Sequence, residues 1–145
     1  MTRFYPDELP EFEHEPTKDN FSIEAAGGEC GEGVMAKIAF DPEDIVFRFT
    51  GFYTENITLF SLEVKPLSYI HDPYFMGKVL HRCEPNCSVN MKRREFKAVK
   101  PIKAGDWITM DYEQTESKLF RPFYCVCGKP ECESFERKLI TGFDA

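Results

Sequence analysis

Short runs of β-branched and aromatic residues between frequent turn residues constrain the fold of this chain more than any other feature. The run DIVFRF places Ile45, Phe47 and Phe49 on one face of a strand, and TLFSLEV alternates in the same way. Between the runs EFKAV and DWITM lies KPIKAGD, whose proline and glycine favour a turn. No segment before residue 113 has the period of a long amphipathic helix. The pattern predicts a mainly β domain of short, bent strands with a cysteine-bearing C-terminal segment.

The length and composition fit one globular domain preceded by an acidic segment. The chain has 145 residues, of which 42% are hydrophobic, and it includes 14 phenylalanines, so it can bury a core. Its first twenty residues carry six acidic and two basic side chains and three prolines. We therefore expect residues 1–20 to form an acidic, solvated arm.

The charge and the apolar pattern indicate the class of partner and the compartment. A net charge of −7 argues against direct nucleic-acid binding and favours basic partners. The start MTRFYPDELP lacks the apolar region of a secretory signal, and no apolar run approaches the roughly 20 residues that a membrane span needs. We expect a soluble intracellular protein, in the cytoplasm or nucleus, with reduced thiols and no membrane contact.

The C-terminal cysteines have the spacing of metal ligands. The stretch YCVCGKPEC places Cys125, Cys127 and Cys132 in a C-x-C-x4-C pattern, and a disulfide between neighbours one residue apart would be strained. Three thiolates leave a tetrahedral zinc site one ligand short. On spacing alone the fourth ligand could be Cys83, Cys87, Cys30 or a histidine, and the alternative to a zinc site is three free cysteines in a loop.

A glycine-rich stretch, GGECGEGVMA, could bring backbone N–H groups close to an anion or a cofactor. It has no Gly-Lys-Ser/Thr, so it is not a P-loop, and it lacks the context of a dinucleotide fingerprint. The stretch alone is weak support for a ligand site, because a hairpin turn without a ligand explains it equally well.

Read in order, four segments resemble the SET-domain family of protein-lysine methyltransferases. GEGVMAKIAFDPEDIVFRFTG is similar to the opening of that domain, and LHRCEPN is similar to its Asn-His-Ser-Cys-x-Pro-Asn signature. AVKPIKAGDWITMDY is similar to the segment that ends in Asp-Tyr, and FYCVCGKPEC is similar to the post-SET zinc motif. The resemblance implies a SET domain at residues 21–115 and a zinc-bound post-SET segment at residues 116–145.

The resemblance also implies a fold and a cofactor site. Short bent β-sheets would enclose a pseudoknot formed by residues 81–86 and 105–112, and S-adenosyl-L-methionine would bind on one face. Gly31, Glu32 and Gly33 match the loop around the methionine end of the cofactor. Leu80 and His81 match the backbone that meets its adenine. His81, Pro85 and Asn86 are expected to hold the pseudoknot rather than bind metal.

The same resemblance assigns the catalytic residue, the substrate channel and the metal. Tyr112 matches the catalytic tyrosine, and Met110 and Tyr124 are candidate walls of a lysine channel. The zinc ligands implied are Cys83, Cys125, Cys127 and Cys132. Cys30 and Cys87 match no ligand position and are expected to be small buried residues. Methyl transfer to an amine needs in-line alignment and a neutral amine, which a desolvated aromatic channel favours.

Three positions depart from the family pattern. Leu80 stands where the family has an asparagine, and it cannot make that side chain's polar contact with the cofactor. Arg82 stands in place of a small hydroxyl residue and is expected to reach water or to form a salt bridge. Met110 replaces a Phe or Tyr that influences how many methyl groups fit.

Three functions are therefore open on the sequence. The first is methyl transfer from S-adenosylmethionine to a lysine of a basic protein or peptide. The second is a repurposed SET-like protein that acts on or binds a small molecule. The third is a non-catalytic, zinc-stabilised interaction module.

Overall fold

The computed structural model describes residues 2–26, 31–82, 84–112, 123–124 and 139–140, and its regular structure is almost entirely β. The strands are β1 (Phe21–Ala25), β2 (Glu32–Ala36), β3 (Ile45–Arg48), β4 (Phe52–Thr54), β5 (Ser61–Lys65), β6 (Ser68–His71), β7 (Leu80–His81), β8 (Cys87–Asn90), β9 (Glu95–Ala98), β10 (Thr109–Met110), β11 (Phe123–Tyr124) and β12 (Leu139–Ile140). One 3₁₀ turn, Met76–Lys78, precedes β7. The prediction of a mainly β domain with short strands is confirmed. No helix within the described ranges has the length and apolar character needed to cross a membrane.

The strands form several small sheets rather than one large one. Two sheets have three strands, in the orders β3-β9-β8 and β4-β6-β5, and the pairs are β1-β2, β7-β10 and β11-β12. In β3 the register shifts between Ile45 and Phe47. Because of this irregularity both Val46 and Phe47 are buried, so the strand does not alternate as simply as its sequence predicted.

Phenylalanines dominate the core. Phe21, Phe47, Phe75 and Phe96 are each at most 1% exposed. The rings of Phe47 and Phe96 stack with centroids 4.4 Å apart, and Phe75 meets Phe47 edge-on at 4.7 Å. Each such ring contributes about 1.5–3 kcal/mol by leaving water. The core therefore joins β1, β3 and β9 to the segment that leads into the 3₁₀ turn.

The N-terminal segment packs against this core, so the expectation that it is solvated is wrong. Tyr5 is 2% exposed, and the ring of Phe4 lies 4.8 Å from that of Phe75. Arg3 pairs with Glu15 at 2.6 Å, which folds the segment back on itself. The acidic and proline residues of this segment indicated exposure, whereas its burial depends on a few aromatic side chains such as Phe4 and Tyr5.

Candidate functional site

The site is built on a parallel pairing of two segments that lie far apart in the chain. β7 and β10 pair with Leu80 opposite Thr109 and His81 opposite Met110. The N–H of Arg82 extends the ladder by donating to the Met110 carbonyl at 3.0 Å. Both strands are buried, so the ladder lies within the fold and holds the residues that follow it in a fixed position.

Asn86 ties these two segments together. Its Oδ1 accepts from the Thr109 N–H at 2.9 Å and from the Thr109 hydroxyl at 3.1 Å, and its Nδ2 donates to the Trp107 carbonyl at 2.8 Å. The backbone N–H of Asn86 donates to Thr109 Oγ1 at 3.0 Å. The prediction that Asn86 holds the knot is confirmed.

Tyr112 is fixed at both ends. Its hydroxyl donates to the Val79 carbonyl at 2.5 Å, and its backbone N–H donates to His81 Nδ1 at 3.0 Å. His81 is 4% exposed, and its ring lies 5.3 Å from the Tyr112 ring. His81 Nδ1 also lies 3.6 Å from a carboxylate oxygen of Asp111. His81 therefore ties the backbone of Tyr112 to β7, in keeping with the prediction that it helps to hold the pseudoknot.

The second half of the glycine-rich stretch, residues 31–36, lies against this ladder. A Cβ on Gly33 would come within 2.9 Å of the Leu80 side chain and of the Trp107 ring, so an alanine there would require one of these side chains to shift. Gly31 has a φ of 68°, and no atom of the described residues lies within 4 Å of where its Cβ would be. Glu32, between them, pairs with Lys78 at 2.8 Å. The backbone is thus crowded by side chains at Gly33 but not by any described atom at Gly31.

The three departures have structural consequences of their own. Leu80 is buried and supplies part of the wall beside Gly33. Met110 is 1% exposed and belongs to the hydrophobic core. Arg82 is half-buried and donates to the His81 carbonyl at 2.8 Å, a backbone contact that the sequence did not lead us to expect. All three lie on or beside the β7-β10 ladder.

Cys87 is the one cysteine among the described residues. Cys87 is 1% exposed, and burial raises the pKa of its thiol to about 12, so it is a protonated, inert core residue as predicted. The candidate zinc ligands Cys83, Cys125, Cys127 and Cys132 lie outside the described residues, as does Cys30. The described ranges contain no cluster of three or more metal-binding side chains. For Tyr124 only the backbone pairing of β11 with β12 is described.

Two residues that shape the site were missed in the sequence. Asp72 is fully buried and accepts hydrogen bonds from the N–H groups of Tyr74, Phe75 and Met76. The pair Asp72-Pro73 is a turn signal that could have indicated this role. The Tyr5 hydroxyl donates to Asp72, which lies 67 positions further along the sequence, and no local sequence pattern predicts such a contact.

The family of the chain follows from comparison with known proteins. A family model described as "SET domain" matches residues 31–113, more than half of the chain. The chain belongs to the SET-domain family. The match includes residues 31–36 of the glycine-rich stretch, the β7-β10 ladder and Tyr112. A search of curated protein sequences found no match.

Solved structures share the SET fold at low sequence identity. KRYPTONITE in complex with mCHG DNA and SAH is 20% identical with a TM-score of 0.63, and the alignment covers 78% of this chain and 28% of that one. A second complex of KRYPTONITE, with mCHH DNA, an H3(1–15) peptide and SAH, is 18% identical with a TM-score of 0.59 and covers 76% and 28%. A chain of the Chaetomium thermophilum polycomb repressive complex 2 is 16% identical with a TM-score of 0.54 and covers 63% and 15%. This SET-domain chain spans less than a third of the length of each.

Proposed function

We propose that this SET-domain protein transfers a methyl group from S-adenosylmethionine to a lysine side chain of a basic protein segment. The observation that supports the proposal best is the two-point fixation of Tyr112, by the Val79 carbonyl and by His81. These two hydrogen bonds give the Tyr112 side chain one defined position at the end of the β7-β10 ladder. Such a defined position is what alignment of two reacting groups requires.

The residues around the glycine-rich stretch fit the cofactor. Leu80 and Trp107 close the Gly33 side with apolar groups, and no described atom crowds Gly31, so a ligand could approach the backbone there beside the Glu32–Lys78 pair. Leu80 presents an apolar side chain, leaving its backbone and that of His81 to contact an adenine. When bound, S-adenosylmethionine supplies a methyl group on a positively charged sulfur. KRYPTONITE structures contain SAH, which is consistent with this choice.

The tyrosine is suited to hold the attacking amine. Its proton is committed to the Val79 carbonyl, so its oxygen offers lone pairs to a neighbouring amine. An unperturbed lysine has a pKa of about 10.4 and must lose its proton before it can attack. A desolvated site lowers that pKa, since burial disfavours the ammonium form. Met110, buried beside His81, and Tyr124 are proposed to provide part of this apolar surface.

The substrate and the zinc site belong to the same proposal. A chain with a net charge of −7 attracts a basic segment, and one KRYPTONITE structure contains an H3(1–15) peptide. We propose that Cys83, Cys125, Cys127 and Cys132 hold one structural zinc ion, whose closed set of four thiolates leaves no position for substrate.

The test is cofactor binding followed by methyl transfer. Titration with S-adenosylhomocysteine should quench the fluorescence of Trp107, the only tryptophan in the chain, because its ring contacts Gly33. Incubation with labelled S-adenosylmethionine and a panel of basic proteins should label lysine. Tyr112→Phe should lower kcat by at least about tenfold, the equivalent of one lost hydrogen bond. Tyr74→Phe, which removes a hydroxyl outside the site, should leave kcat within about twofold.

Two outcomes would favour the other functions. No binding of S-adenosylhomocysteine, with another metabolite copurifying, would favour a small-molecule role. A zinc-containing protein that binds a partner but no small molecule would favour an interaction module. Full transfer by Tyr112→Phe would remove the role proposed for that hydroxyl.

A further inference from the structure

The N-terminal segment reaches the site through a buried carboxylate. Tyr5 is 2% exposed, and its hydroxyl donates to Asp72 Oδ2 at 2.6 Å. The same hydroxyl accepts from the Thr50 N–H at 3.3 Å. The family match covers residues 31–113, so Tyr5 lies outside the matched residues.

A continuous path of hydrogen bonds leads from this carboxylate to the site. The Met76 N–H donates to the same Asp72 oxygen at 3.0 Å, and the Val79 N–H donates to the Met76 carbonyl at 3.1 Å. The Val79 carbonyl then accepts the Tyr112 hydroxyl. Four hydrogen bonds thus connect the hydroxyls of Tyr5 and Tyr112.

We propose that Tyr5 is a positioning residue, which holds the Tyr112 hydroxyl in place through Asp72, Met76 and Val79. Asp72 is fully buried and within the described residues Tyr5 is its only side-chain donor; the other donors are backbone N–H groups. Without the Tyr5 hydroxyl, Oδ2 keeps only the Met76 N–H as a donor, so the carboxylate loses the hydrogen bond that holds it on the Tyr5 side and shifts towards Met76. Met76 shares that oxygen and moves with it.

The packing around the path transmits this movement. Phe75, 0% exposed, contacts Phe4 on one side and Phe47 on the other, so the middle of the segment from Asp72 to Met76 is enclosed by the core. A Cβ on Gly77 would come within 2.4 Å of the Asp72 carbonyl, which shows how tightly this segment folds. When consecutive hydrogen bonds are buried in this way, each one polarises its neighbours and helps to orient them.

The role in catalysis rests on the proposed methyl transfer, whereas the coupling between the two tyrosines does not. The experiment therefore measures both in the full chain. Tyrosine labelled with ¹³C at Cζ gives six resonances, one per tyrosine, and Tyr112→Phe identifies that of Tyr112. Tyr5→Phe removes the hydroxyl and keeps the ring. Tyr74→Phe is the matched control, because the Tyr74 ring packs on Tyr5 at 6.1 Å and its hydroxyl takes no part in the path.

We expect Tyr5→Phe to move the Tyr112 resonance and to lower kcat about tenfold while KM for the basic protein stays within about twofold. Tyr74→Phe should do neither. An unmoved Tyr112 resonance in Tyr5→Phe, or equal movement in both variants, would overturn the proposal. If the unmodified protein transfers no methyl group yet the resonance moves only in Tyr5→Phe, the coupling stands and the proposed function is the part that fails.

Discussion

At the scale of single residues, the site depends on a few side chains that make several hydrogen bonds each. Asn86 uses both ends of its amide on Thr109 and Trp107, and Asp72 uses both carboxylate oxygens on the segment that follows it. Each brings together stretches that local propensity would not join. Substituting such a residue leaves buried backbone groups without partners, which costs more than the loss of a surface contact.

Asn86→Ala should therefore lower the free energy of unfolding by about 2–4 kcal/mol, because three side-chain hydrogen bonds of the knot are lost at once. Chemical denaturation measures the loss. Ser88→Ala is the control, since Ser88 is an exposed residue on the neighbouring strand. Equal stability of the two variants would mean that the knot does not depend on Asn86.

Asp72 should make stability depend on pH in an unusual direction. Burial raises its pKa above the ordinary 3.8, although the hydrogen bonds from Tyr5 and the backbone oppose this. The folded protein then keeps a proton that the unfolded chain has released, so this group stabilises the fold fully below pH 3.8 and less as the pH rises through its folded pKa. The Tm difference between the unmodified protein and Asp72→Asn should fall with rising pH in that window. A difference that grows with pH would contradict the raised pKa.

At the scale of elements, the approach to the ladder is a tight turn without space for side chains. The 3₁₀ turn Met76–Lys78 packs against β2 and leads directly into β7. Gly77 lies against the backbone of Asp72 and Phe60, whereas Gly33 lies against the movable side chains of Leu80 and Trp107. The two glycines are therefore required to different degrees.

Gly77→Ala should destabilise the protein by at least about 2 kcal/mol, since its Cβ would overlap backbone carbonyl oxygens that cannot move away. Gly33→Ala should cost less stability, because a side chain can shift, but it should weaken binding of S-adenosylhomocysteine. Thermal unfolding and the Trp107 titration separate the two effects. A larger loss of stability in Gly33→Ala would contradict this ranking.

How far the sequence predicts these elements depends on how local their causes are. The strands followed from local runs, and the knot residues His81 and Asn86 followed from an ordered motif. The segment 72–77 and Tyr5 did not, since their burial is decided by contacts with residues far along the chain. Arg82 shows the same limit. Its guanidinium was expected to reach water or to form a salt bridge, but it donates a hydrogen bond to the backbone carbonyl of His81 in β7.

At the scale of the whole molecule, the C-terminal cysteines are proposed to join the SET domain through one zinc ion. The purified protein should contain about one zinc per chain, because Cys83 together with the three C-terminal cysteines makes a closed tetrahedral set. Elemental analysis measures the ratio. Cys125→Ser should lower the zinc content, whereas Cys87→Ala should not, since Cys87 is a core thiol. An equal loss in both variants would exclude this ligand set.

The N-terminal segment belongs to the same folded unit, and this makes it testable in the intact protein. The Lys18 N–H donates to the Thr2 carbonyl and the Arg48 N–H donates to the His14 carbonyl, so the segment is tied to itself and to β3. A solvated arm exchanges its amide hydrogens within seconds, whereas these amides open only when the segment detaches. Hydrogen exchange should therefore be slow at Lys18 and Arg48.

Tyr5→Ala should accelerate exchange at both amides, because the segment loses its buried anchor and the hydroxyl bound to Asp72. The amides of the β8-β9 hairpin serve as the internal control and should stay protected, since their ladder does not include the segment. Rapid exchange at Lys18 in the unmodified protein would show that the segment is solvated. If Tyr5→Ala also speeds exchange at Met76 and Val79, then the contact that anchors the N-terminal segment also stabilises the backbone that binds the Tyr112 hydroxyl.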